Sequence, residues 1–226
     1  MGDFGRAVVA IAAKDLAIEW RTKTALVSSL AFAVLVLAVL FFARDPPAVG
    51  ALDVAPGALW VTFTFAAMLG LNRAFLLERD NGALDGLLLT PVPRSAIFLG
   101  KVAANLVFVG TVELISLPIF MLFYDVPIWH RLPALLGITA MATVAFVAVG
   151  TLLSSMAVRT RLSELMLPLL LLPFLLPPVV GAVQVTARIL AERPLSEAAG
   201  WLKLLAAFDV VFIVLSTLLF EATLDE

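Results

Sequence analysis

Two carboxylates stand in stretches that otherwise carry almost nothing but apolar side chains: Glu113 in LVFVGTVELISL and Asp209 in LLAAFDVVFIV. A charge inside a membrane costs several kcal/mol unless it is paired, solvated or protonated. Asn105 precedes Glu113 by eight residues, about two helical turns, so the two face a similar direction. Two readings stand for this set. Either Asn105, Glu113 and Asp209 line a substrate path or gate, or they are protonated or hydrogen-bonded groups that hold helices together. Both readings turn them toward protein and away from lipid. His130, the only histidine, follows Trp129 in a short polar turn. The chain has no cysteine, which excludes disulfides and thiolate metal sites. It carries no Walker A, HExxH or GxSxG pattern, so no catalytic or metal set is assigned, and any energy source is expected on another subunit.

The elements that position these groups follow from composition. Hydrophobic residues make up 62% of the chain and charged residues 14%, against roughly 45–50% and about 25% in soluble domains. The expected fold is an all-α integral membrane protein, one transmembrane domain over residues 1–226. Thr24 to Phe42 covers roughly 28 Å as a helix, enough to cross the hydrocarbon. Further spans are expected over about 58–77, 95–123, 132–158 and 201–220. Arg44 to Gly57 reads as a loop, punctuated by proline and glycine. Gly137, Ala140, Gly150 and Ser154 are small residues that let the fourth span approach its neighbours. The fifth segment, 164–190, contains Pro168, Pro173, Pro177 and Pro178. It is expected to break into a span ending near Leu176 and a partly re-entrant piece around Val179 to Ile189.

Residues 2–22 are too polar to span. As a helix they align Phe4, Ile11 and Ile18 beside a basic stripe of Arg6, Lys14 and Arg21, the pattern of an interfacial helix on an anionic leaflet. With the N-terminus inside, ten Lys and Arg fall on the cytoplasmic side and five outside, in the direction of the positive-inside rule. Trp60, Trp129 and Trp201 then all fall at the outer interface, and the C-terminus lies in the cytoplasm.

Between the second and third spans runs ERDNGALDGLLLTPVPR, Glu78 to Arg94. Asn81 and Gly82 suit the start of a short helix, Asp85 sits near the favourable end of its dipole, and Pro91 stops it. Leu84, Leu87 and Leu88 share one face. On the water side of a membrane such a ridge needs a protein to bury it.

Leu71 to Lys101 resembles the segment after the second span in membrane subunits of ABC-2-type transporters. The matching residues are Glu78 to Asp80, Gly82, Leu84, Asp85, Leu87, Leu88, Thr90 with Pro91, and Gly100 with Lys101. The resemblance implies that about 81–90 is a cytoplasmic coupling helix moved by a separate ATPase. Over nearly the whole chain, the short length, six spans, amphipathic N-terminal helix and Leu71-Asn72-Arg73 before Asp80-Asn81-Gly82 resemble the CcmB family of haem exporter B proteins. The chain departs from that family at Asn72 and Asn81, where an acidic residue is usual. Membership implies a role in cytochrome c maturation in the bacterial inner membrane, in haem export or in ATP-driven release of the haem-loaded chaperone, with a CcmA-like ATPase, CcmC-like and CcmD-like membrane proteins and a CcmE-like haem chaperone. It implies two copies per complex, ATP acting only through the partner, and haem as a possible substrate. His130 then becomes a candidate haem ligand, since imidazole ligates haem iron. No nucleic-acid partner is expected. A general ABC-2 exporter of lipid, glycan or drug, and a non-transporting scaffold of a haem-handling complex, stay open beside this reading.

Overall fold

The computed structural model describes residues 2–45, 48–80, 92–126, 132–157 and 163–223. Among them the regular structure is all helical: α1 (Gly2–Thr22), α2 (Thr24–Phe42), α3 (Ala51–Asp80), α4 (Arg94–Tyr124), α5 (Leu132–Ala157), α6 (Ser163–Leu190) and α7 (Ala199–Thr223). A 3-10 turn, Leu195–Ala198, leads into α7. All but α1 are long and apolar enough to cross a membrane, which gives the six-span all-α class expected from composition.

Two helix starts show how local chemistry sets the boundaries. Lys23 alone separates α1 from α2, in the left-handed region at φ 56°. The Leu26 N–H, an orphan donor in the first turn of α2, donates to Glu19 Oε1 at 2.9 Å. At α3, the Gly50 N–H donates to Asp53 Oδ2 at 3.0 Å while the Asp53 N–H donates to the Gly50 carbonyl at 3.2 Å. This reciprocal cap starts the helix at Ala51, so the expected loop ending at Gly57 is half helix, with Pro56 inside the second turn.

The proline-rich segment also differs from expectation. α6 runs unbroken from Ser163 to Leu190 with Pro168, Pro173, Pro177 and Pro178 inside it. Each proline removes one helical hydrogen bond, but breaking the helix in hydrocarbon would strand several backbone groups at once. The continuous helix is the cheaper solution.

α4 is the central element, packing against α1, α2, α3, α5 and α7. Close approach is made by small residues. A Cβ added at Gly70 of α3 would overlap the Phe108 ring of α4, and one at Gly150 of α5 would meet Leu71 Cδ1 of α3 at 2.5 Å. Gly137, expected to act likewise, has open space beside it. Hydrogen bonds tie the helices pairwise: Ser29 to the Ala66 carbonyl at 3.2 Å, Ser154 to the Leu71 carbonyl at 3.1 Å, and Tyr124 to the Leu37 carbonyl at 3.3 Å.

Two further expectations are corrected. Trp60 is no belt residue: it is fully buried, and its indole N–H donates to Thr186 Oγ1 at 2.8 Å, tying α3 to α6. An indole that has a partner inside the bundle needs no headgroup. On α1 the apolar stripe is divided, with Phe4 and Ile18 exposed while Ile11 is buried against Ile97, Phe98, Leu152 and Phe220. One face of α1 is therefore a protein contact.

Gly70→Val should destabilise the bundle by about 1–3 kcal/mol through overpacking against Phe108. A thermal aggregation midpoint for the detergent-purified protein that matches the parent would contradict this packing.

Candidate functional site

The polar residues of α4 face α5 and meet threonines there. Asn105 Nδ2 donates to Thr151 Oγ1 at 2.9 Å, and Glu113 Oε2 stands 2.5 Å from Thr143 Oγ1. The eight-residue step from Asn105 to Glu113 along α4 is matched by the step from Thr151 back to Thr143, as two antiparallel helices require. The sequence-based pairing of Asn105 with Glu113 on one face is thus what the structure displays. The threonines were not foreseen, although Thr139, Thr143 and Thr151 recur at four and eight residues, the spacing of one helix face.

The proton arithmetic at Thr143 is informative. Its Oγ1 is 2.5 Å from Glu113 Oε2 and also 2.7 Å from the Thr139 carbonyl oxygen. A hydroxyl has one proton and a carbonyl can only accept. Both contacts are hydrogen bonds together only when Thr143 donates to the carbonyl and the carboxyl of Glu113 donates to Thr143. The geometry therefore suits the neutral carboxylic acid, the form that hydrocarbon surroundings favour.

Glu113, 2% exposed, and Thr139, 5% exposed, line a cavity of ≈320 Å³ between α4 and α5. Glu113 Oε1 and Thr139 Oγ1 have no hydrogen-bond partner in the structure. Asp209 is placed elsewhere: half-buried on α7, it does not line this cavity, and its Oδ1 is shielded from solvent without a hydrogen-bond partner.

A second polar centre lies at the start of α4. Lys101 is 1% exposed, and its Nζ is 3.2 Å from Asp15 Oδ2 of α1. Asp15 Oδ1 also stands 3.0 Å from Lys14 Nζ. This pair adjoins the stretch of greatest sequence interest. Glu78 and Asp80 belong to the last turns of α3 by backbone. Asn81, Gly82, Leu84, Asp85, Leu87, Leu88 and Pro91, and likewise His130, lie outside the described residues. No cluster of three or more His, Cys, Asp or Glu that could hold a metal occurs among the described residues.

A family profile described as CcmB protein matches residues 6–226. The chain belongs to the CcmB family. Among relatives of this CcmB-family chain is heme exporter protein B of Rhodobacter capsulatus, 28% identical over 199 residues, covering 84% of this chain and 89% of the relative. The protein of the same name from Pseudomonas aeruginosa is 27% identical over 198 residues, 86% and 87% of the two chains. That from Haemophilus influenzae is 28% identical over 215 residues, 93% and 94%. The profile match over residues 6–226 takes in both polar centres, Lys101 with Asp15 and the α4–α5 threonine pairs.

Interhelical hydrogen bonds in membranes contribute little singly, about 0.6 kcal/mol on average and at most roughly 1.7. Asn105→Leu and Thr151→Val should each lower stability by about 1 kcal/mol, and the double variant should lose less than the sum. A strictly additive double-mutant cycle, read from equilibrium unfolding in mixed micelles, would show that the two side chains do not interact.

Proposed function

We propose that this chain is the membrane subunit of an ABC-type haem exporter that serves cytochrome c maturation. The observation that carries the reading is the family match over residues 6–226 on a bundle with six candidate spans. Heme exporter protein B, the name of the curated relatives, supplies the substrate class. The protein sits in the bacterial inner membrane with both termini in the cytoplasm, as the bias in Lys and Arg supports. Two copies form the transport unit, beside a CcmA-like ATPase and CcmC-like, CcmD-like and CcmE-like partners.

The mechanism is conformational. Residues 81–90 form the coupling helix, and Leu84, Leu87 and Leu88 bury their ridge in the ATPase. This stretch joins α3 to α4, rods of 30 and 31 residues, each roughly 45 Å long. A displacement applied there reaches the Gly70–Phe108 contact within the bilayer and the Lys101–Asp15 pair at the start of α4. ATP drives the change only through its different affinity for the two states. Glu78, Asp80, Asn81, Gly82, Asp85 and Pro91 shape the segment that transmits it.

A strain lacking this gene should lose c-type cytochromes in a covalent-haem stain, and the parent gene should restore them. Leu84→Asp should fail to restore them, because it puts a charge into a buried contact. Normal staining in the deletion strain, with no second copy of the gene, would remove the haem reading and leave the general ABC-2 exporter. Full rescue by Leu84→Asp would remove the coupling helix.

A further inference from the structure

Lys23, the single residue between α1 and α2, lies in the left-handed region at φ 56° and ψ 4°. That conformation is disfavoured for any residue with a Cβ and free for glycine. The joint is otherwise bonded as a helix would be: the Lys23 N–H donates to the Glu19 carbonyl at 2.7 Å, and the Val27 N–H to the Lys23 carbonyl at 2.9 Å. Glycine would serve this backbone, so the lysine side chain needs an account of its own.

The cations of α1 and the joint divide by their partners. Arg6 Nη1 is 3.7 Å from Asp3 Oδ1, and Lys14 Nζ is 3.0 Å from Asp15 Oδ1. Glu19, the acid nearest the joint, turns its Oε1 to the Leu26 N–H of α2. Arg21 and Lys23 are exposed and have no side-chain hydrogen bond or ion pair among the described residues. Trp20 beside them is 61% exposed, and its indole N–H is likewise without a partner among the described residues.

Position decides what this surface meets. α2 has 19 residues, roughly 28 Å as a helix and barely the ~30 Å of the hydrocarbon. A span that short must enter at Thr24. Trp20 precedes Thr24 by four residues, so the joint is held within about one helical turn of the boundary, whatever the tilt of α1. Head-group phosphates lie at that level, and an exposed indole suits it. Two cations against one engaged carboxylate select an anionic lipid over a zwitterionic one.

We propose that Trp20, Arg21 and Lys23 form a binding site for the head group of an anionic phospholipid, with Arg21 and Lys23 on its phosphate and Trp20 at the root of its acyl chains. The leaflet is thus read at the α1–α2 joint and not along the whole basic stripe of α1. The site needs neither haem nor the ATPase, so its failure would leave the proposed function standing.

The test uses the full chain in phosphatidylcholine vesicles with a minor fraction of phosphatidylglycerol. Bromines are placed on the acyl chains near the head group, either of the phosphatidylglycerol or of an equal amount of phosphatidylcholine. The Trp20 signal is the difference in fluorescence between the parent and Trp20→Phe. Brominated phosphatidylglycerol should quench it several-fold more strongly than brominated phosphatidylcholine. Lys23→Gly and Arg21→Gln should each reduce that preference by up to about fivefold, and Arg6→Gln should leave it unchanged. Lys23→Gly should unfold at a temperature no lower than the parent's, since glycine is at ease in the left-handed region, which separates lost binding from a damaged fold. If Lys23→Gly unfolds earlier, Arg21→Gln decides. Quenching of Trp20 by acrylamide from water and not by lipid would overturn the site. Equal quenching by the two brominated lipids, an unshifted Arg21→Gln, or a loss in Arg6→Gln as large as that in Arg21→Gln would do the same.

Discussion

An ammonium group enclosed in a membrane protein is tolerated only beside an anion, and Lys101 with Asp15 is where this chain meets that condition. Much of the neighbouring structure depends on it. α1, too polar to span, is held against α4 because Asp15 must reach Lys101. The approach is close enough that Gly100 has no room for a side chain: a Cβ there would meet Ile11 Cβ at 2.8 Å and the Val8 carbonyl oxygen at 3.0 Å. Phe98 packs on Phe220 of α7 with ring centroids 5.0 Å apart, bringing a third helix to the same end of α4. A charge pair, a glycine and a ring pair thus gather three helices, α1, α4 and α7, around the first turns of α4.

Deeper in the bundle the same condition is met with uncharged groups. Hydrocarbon gives no hydrophobic reason for one apolar helix to prefer another, so packing and a few internal hydrogen bonds must define the neighbours. The polar side chains are distributed accordingly: Ser29 joins α2 to α3, Ser154 joins α5 to α3, Tyr124 joins α4 to α2, and Trp60 joins α3 to α6. Among the described residues, the α4–α5 seam is the one that carries two such links and leaves capacity unused, at Glu113 and Thr139.

The spans themselves were legible because twenty apolar residues in a row admit one interpretation. Boundaries were less so, for reasons that attach to particular residues. Asp53, three positions after Gly50, marked a reciprocal cap that the surrounding prolines and glycines obscured. The four prolines of α6 argued for a break by rules drawn from water, where a broken helix can be solvated. Trp60 belonged to the interface only while its span was expected to start near Ala58; α3 starts at Ala51, which sets Trp60 well inside the span, where its partner is Thr186, a tertiary contact no local pattern announces. Asn105 and Glu113 were recognisable as partners in direction because helical spacing is fixed. Their threonines were harder to see, since threonine is unremarkable in an apolar helix until something stands opposite it.

Lys23 has a mechanical meaning as well as a conformational one. It is the only residue outside helical geometry between α1 and α2, and its left-handed backbone is buttressed from one side by Glu19 gripping the first turn of the next helix. Two stiff rods joined through one residue have no slack to take up. A tilt or slide of α1 therefore becomes torque on the first span, with Lys23 as the elbow and the whole length of α1 as the lever arm.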